Sequence, residues 1–158
     1  MYTHPFRSGA YVMVDAAVLR GVFAHRQTRP DDTEAGGILV GLRRGEHMHV
    51  TGFTSPGPQD RRARTGFHRA RRYHQAQALN WWRRSGGLVD YLGEWHTHPE
   101  ARPSPSGTDL REWRLLLQRY ERPLAFMIAG TRDECWLGVG QTGHVRQAWM
   151  PQNRSRHG

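Results

Sequence analysis

The segment EWHTHPEARPSPSGTD (94–109) holds side chains whose types and spacing could do chemistry. His96 and His98 stand two apart, so on a strand they share one face while Trp95 and Thr97 point to the other. Two imidazoles on one face can bind a single zinc ion, but they leave a tetrahedral site short of ligands. Asp109 can supply the third, on a connection stiffened by Pro99, Pro103 and Pro105. Water in the fourth position is what a catalytic zinc needs.

Each part also has a plainer reading. Ser106 and Asp109 fit a capping box, Ser-x-x-Asp, ahead of an apolar run, and that alone explains both. EHMHV (46–50) repeats the His-x-His pattern at His47 and His49 with no proline turn and no Ser-x-x-Asp behind it. His-x-His by itself is therefore weak evidence, and His47 and His49 read as exposed strand residues. The two readings of Ser106 and Asp109 also combine, because a helix N-terminus can hold both rigidly beside a metal.

Periodicity and punctuation indicate the elements that must position these groups. YVMVD (11–15) reads as a short strand, and AAVLRGVFAHRQ (16–27) has apolar residues at helical spacing. EAGGILVGLRRGEHMHVTGFT (34–54) reads as two strands with a turn near Arg44 and Gly45. RPDDT and SPGPQD read as loops. ARRYHQAQALNWWRRSGG (70–87) suits a helix that Gly86 and Gly87 would end. Its Tyr73, Trp81 and Trp82 read as core, with room for one exposed aromatic that meets a partner, and its arginines as a solvated face. LVDYLGEWHTH (88–98) suits a strand carrying both candidate histidines. SGTDLREWRLLLQRY (106–120) predicts a third helix, with Leu110, Trp113, Leu117 and Tyr120 on one face and Pro123 beyond its end. LAFMIAG, CWLGVG and HVRQAWM read as closing strands. Hairpins and crossovers together imply a single domain of α/β (α+β) class, a mixed sheet flanked by helices over 1–150, with a mobile tail over 151–158.

The 158 residues suit one domain and suffice for a real core. A single cysteine, Cys135, excludes a disulfide framework and a Cys-rich zinc knuckle, and a reducing cytoplasm fits. No apolar run approaches the length of a membrane span. The formal charge of +9 and pI of about 11.1 suit either nucleic acid or an acidic protein partner. All 23 basic residues are arginine. GC-rich codons account for that most simply.

HTHPEARPSPSGTD resembles the JAMM motif of the JAB/MPN-domain metallopeptidases, His-x-His-x7-Ser-x2-Asp, at all four defining positions. EAGGILVG (34–41) is similar to the family's upstream element, a glutamate at the start of a glycine-rich strand. The resemblance spans roughly residues 11–145, and YLGEWHTHPE with the short single domain is similar to the bacterial deconjugating peptidases of CBASS antiphage operons. It implies a JAB/MPN-like fold and a zinc isopeptidase or peptidase. His96, His98 and Asp109 match the zinc ligands, Glu34 the general base and Ser106 the oxyanion donor. Glu94 rivals Glu34 because it would share the ligand face, as base, second-sphere partner or further ligand. Glu100 reads as a solvated loop residue. Cys135 reads as a buried structural thiol rather than a nucleophile.

The implied substrate is a target amine conjugated to the C-terminal tail of a ubiquitin-like protein or of a nucleotidyltransferase. The implied partner is an E1–E2-like ligase from the same operon, and a protein without lysine would escape modification by such a ligase. Two other classes remain open on the residues alone: a basic nucleic-acid-binding module, disfavoured because the arginines are scattered rather than interleaved with stacking aromatics, and a non-catalytic MPN scaffold.

Overall fold

LAFMIA is apolar at every position, and a strand with no polar face must be covered on both sides. The computed structural model, which describes residues 1–69 and 71–151, meets that requirement. Its elements run β1 (Tyr2–Thr3), β2 (Tyr11–Val14), α1 (Ala16–Phe23), β3 (Gly36–Arg44), β4 (His47–Phe53), β5 (Arg61–Ala63), β6 (Gly66–His68), α2 (Arg71–Arg84), β7 (Asp90–Thr97), α3 (Gly107–Leu117), β8 (Leu124–Ala129), β9 (Cys135–Gln141) and β10 (His144–Gln147). Among the described residues, eight strands form one mixed sheet in the order β1-β2-β4-β3-β7-β8-β9-β10. The pairs β2–β4 and β7–β8 are parallel and the other neighbours antiparallel. The hairpin β5–β6 stands apart from the sheet.

The strand β8 divides the core. Ala125, Met127 and Ala129 face a cluster with Val18 and Val22 of α1, Leu39, Val50, Leu92 and Trp95. Leu124, Phe126 and Ile128 face Trp113 and Leu117 of α3, with Trp136 beside them. Trp113 stacks on Phe126 and on Trp136, with centroids 4.4 and 5.6 Å apart. The two helices thus cover opposite faces of the sheet, as a mixed α and β architecture requires.

One irregularity sets which residues of β7 face α3. Pairing with β3 passes from Leu39–Gly93 to Val40–Tyr91, so Leu92 is an extra residue. Such a bulge shifts the alternation by one. Downstream of it Trp95 faces the α1 side, the extra residue Leu92 does so too, and upstream Tyr91 packs on the α3 side. Gly93 makes this fit possible. Its φ is +154°, and a Cβ there would run into the backbone carbonyl of Ala125.

The sheet curls until its two ends meet. Trp149, just past β10, accepts at its carbonyl from the amide and hydroxyl of Thr3 in β1, at 2.9 and 3.0 Å. Helix α2 buries His74 and partly buries Tyr73 and Trp81, while Trp82, the one exposed aromatic that the reading allowed, is 49% exposed beside exposed Leu79. Tyr120 lies beyond α3 and is exposed too. The tail expected over 151–158 lies, past Pro151, outside the described residues. Among the described residues no helix is long and apolar enough to cross a membrane.

Candidate metal centre

His96 is held between β3 and β8, opposite Gly36 and Ile128. His98 follows the strand end, its amide donating to Ala129 O at 3.0 Å. Their rings face each other, with the two Nε2 atoms 3.0 Å apart. Asp109 enters from the first turn of α3. Its Oδ1 lies 3.3 Å from His96 Nε2 and its Oδ2 3.0 Å from His98 Nε2. The donor atoms of these three residues fall within 4.8 Å of one another. A tetrahedral zinc with ligand bonds of 2.0–2.1 Å has ligand–ligand edges of about 3.3 Å, so the spacing and the nitrogen–oxygen donor set fit such an ion.

The neighbours hold these donors in place. Glu100 Oε1 is 3.0 Å from His98 Nδ1, a contact that fixes the ring with its Nε2 edge toward Asp109. Glu100 is half-exposed in its loop, as expected, and is also engaged at His98. The Trp113 ring lies 5.9 Å from that of His96. Ser106 is the N-cap of α3: its Oγ accepts from Asp109 N at 3.0 Å, and its own amide donates to Asp109 Oδ2 at 2.9 Å. Asp109 is therefore both half of a capping box and the carboxylate against the imidazoles.

Electrostatics follow burial and pairing. Burial disfavours the Asp109 carboxylate, but hydrogen bonds from His96 and His98 outweigh it and hold the group well below the usual carboxylate range. Burial lowers the His98 imidazole, and Asp109 with Glu34 and Glu100 more than reverses that, leaving it raised. Glu34, only 5% exposed, is pushed up to about 7, chiefly by burial. It lines the same cleft as both histidines, Ser106 and Asp109, a space of about 760 Å³ walled by Phe67 of the hairpin and Leu116 of α3. Glu34 N donates to Ala63 O at 2.6 Å, and Arg62 Nε donates to Glu34 O at 2.8 Å, so the hairpin grips its backbone.

Glu94 also lines the cleft, as its shared face with His96 implied, but its carboxylate is 2.8 Å from Arg69. Burial raises it and Arg69 opposes the rise. His47 stacks on Tyr11, and His49 bonds Asp15 at 2.6 Å, so the second His-x-His has its own local partners. Cys135 is partly buried, its thiol raised by burial and 3.7 Å from Tyr2 OH.

Sequence reasoning missed Glu100 as an orienting partner, Arg69 as the counterion of Glu94, and Gln27. Gln27 is 3% exposed, where a helical reading through 27 gave it no role, while α1 stops at Phe23. A histidine two residues before an acid at a strand end is a usable signal for Glu100. Gln27 and Arg69 meet their partners only through the fold.

The family described as prokaryotic homologs of the JAB domain matches residues 16–150. A protein of Escherichia coli (strain TW11681) named CD-NTase/cGAS isopeptidase is 39% identical over 128 residues, 81% of each chain. One of the same name from Vibrio cholerae is 37% identical over 131 residues, 83% of each chain. The solution structure of a protein from Desulfitobacterium hafniense superposes with a TM-score of 0.63 at 23% identity, over 86% of this chain and 88% of that one, which bears on the fold alone. The chain therefore belongs to the prokaryotic branch of the JAB-domain family.

Proposed function

We propose that this JAMM-type peptidase is a zinc isopeptidase that releases a protein C-terminus, that of a cGAS-like nucleotidyltransferase or a ubiquitin-like protein, from a target amine. The observation that carries the reading is the convergence of His96, His98 and Asp109 on one point in a cleft that also holds Glu34 and Ser106. The relatives named CD-NTase/cGAS isopeptidase support the substrate class. The domain responsible is 1–150, acting in the cytoplasm opposite an E1–E2-like ligase.

His96, His98 and Asp109 would hold the ion. When bound, a zinc supplies a water acidified to a pKa of about 7 and a Lewis acid for the scissile carbonyl. Glu34 does the proton work: its buried carboxyl, lining the cleft with both histidines, can take a proton from the attacking water and return it to the leaving nitrogen. Ser106 Oγ already accepts from Asp109 N, which leaves its own proton to donate to the developing oxyanion. Phe67 and Leu116 form apolar parts of the cleft wall beside these groups.

The test is cleavage of an isopeptide-linked conjugate by wild type and Glu34→Gln. Loss of about 100-fold or more in kcat with metal content unchanged is expected. Unchanged turnover would remove Glu34 as the base and move the role to Glu94.

A further inference from the structure

A buried amide side chain ties the hairpin over the cleft to the backbone that carries Glu34. Gln27 Nε2 donates to Asp32 O at 2.9 Å and to Arg64 O at 2.8 Å. Its Oε1 accepts from Thr97 Oγ1 at 3.1 Å. Thr97, fully buried between the two histidines, accepts in turn from the amide of Ala35 at 3.0 Å, and its own amide donates to Ala35 O at 2.9 Å. Both amide protons and the oxygen of Gln27 are thus engaged, so its position is fully determined.

The bonds converge on a short piece of chain. Ala35 follows Glu34 directly, and Thr97 is flanked by His96 and His98. Arg64 sits at the tip of the β5–β6 hairpin, whose next residues, Thr65, Gly66 and Phe67, line the cleft. Glu34 is itself bonded to that hairpin through Ala63 and Arg62. A shift of the hairpin that moves Arg64 O therefore pulls on the same side chain that orders Thr97 and Ala35.

We propose that Gln27 is a positioning residue for the reaction: through Thr97 it sets the reach of Glu34 toward the imidazole face, and through Arg64 it couples that reach to the hairpin that lines the cleft. It touches no reacting atom. The proposal rests on reading Glu34 as the base. Buried groups of this kind act by holding a functional side chain to within about half an ångström, and outer-sphere partners commonly contribute about 10–100-fold.

The test uses the full chain and three variants. Gln27→Met keeps the volume and removes every hydrogen bond. Thr97→Val removes the hydroxyl, and Thr97→Ser keeps it. By amide hydrogen exchange, Gln27→Met and Thr97→Val should expose Ala35 about tenfold faster than wild type while β8 and β9 stay protected. On a fluorescent tail peptide joined through its terminal carboxyl to a lysine ε-amine, both should lose about 10–100-fold in kcat per metal-loaded molecule, with KM within about twofold. Thr97→Ser should match wild type on both readouts. Exchange at Ala35 unchanged in Gln27→Met overturns the proposal. So does equal turnover of Thr97→Val and Thr97→Ser, or a lowered Tm with kcat unchanged. Should Glu34→Gln turn over normally, the base assignment falls alone, and exchange at Ala35 still decides whether Gln27 holds that backbone.

Discussion

Ser106 shows how one oxygen can answer to stability and to chemistry at once. As N-cap it accepts from Asp109 N, a contact worth about 1 kcal/mol. As an oxyanion donor it would contribute about 100-fold to turnover. Ser106→Ala should therefore cost about 100-fold in kcat together with a small drop in Tm; a drop in Tm with kcat intact would leave the serine a helix cap and nothing more. The legibility of the site divides along the same scale. His96, His98, Ser106 and Asp109 lie within fourteen residues, so strand alternation and cap spacing alone brought them to one place on paper. Glu34 lies 62 residues before His96 and was legible only through a family pattern. Gln27 was not legible at all, because the signal of its role is hydrogen bonding to carbonyls and a hydroxyl up to 70 residues away.

Among elements, the long periodic ones were readable and the short polar ones were not. The strands through 34–54 and 88–98, and α3 after its proline turn, stand where alternation and capping placed them. The hairpin β5–β6 escaped because each strand has three residues, and RRA carries no apolar alternation. The helix expected over 16–27 ends at Phe23 because burying Gln27 with three hydrogen bonds outweighs one more turn of helix. The bulge at Leu92 and Gly93 was hidden as well, since a lone glycine in a strand says only that something irregular follows. Gly93→Ala should destabilise by about 2–5 kcal/mol, combining an unfavourable φ with a collision against β8. Chemical denaturation would measure it; a midpoint unchanged from wild type would mean that β7 and β8 can part without penalty.

At the scale of the molecule, two sets of groups pull in opposite directions as pH falls: Glu34 and His98, raised in the fold, add stability toward acid, while the buried histidines lose it. Burial holds His74, His4 and His25 below the ordinary imidazole value, and in His74 the bond to Asp60 at 2.9 Å opposes but does not cancel it. His74 also accepts from Thr54 at Nδ1, at 2.6 Å, and feels the charge of Arg69. These groups bind protons more readily unfolded than folded. Their contribution is therefore complete above the unfolded pKa of about 6.5 and shrinks as pH falls through it. The Tm of wild type relative to His74→Gln should fall between pH 7.5 and pH 5.5, which isolates this histidine from the raised groups. A Tm difference independent of pH over this window would refute the account.

The contact between Thr3 and Trp149 has a consequence for how the chain can be cut. Because the first and last strands of the sheet share a carbonyl, the two ends of the described chain are neighbours. The order in which the strands are strung is then separable from the order in which they pack. A short linker could join the ends, and new ones could be opened in the exposed turn at Gly45–Glu46, where a glycine at φ +58° makes the bend. Such a permuted chain would keep His96, His98 and Asp109 on one unbroken segment while placing Glu34 after them in sequence, and the same cleft would be written in the opposite order.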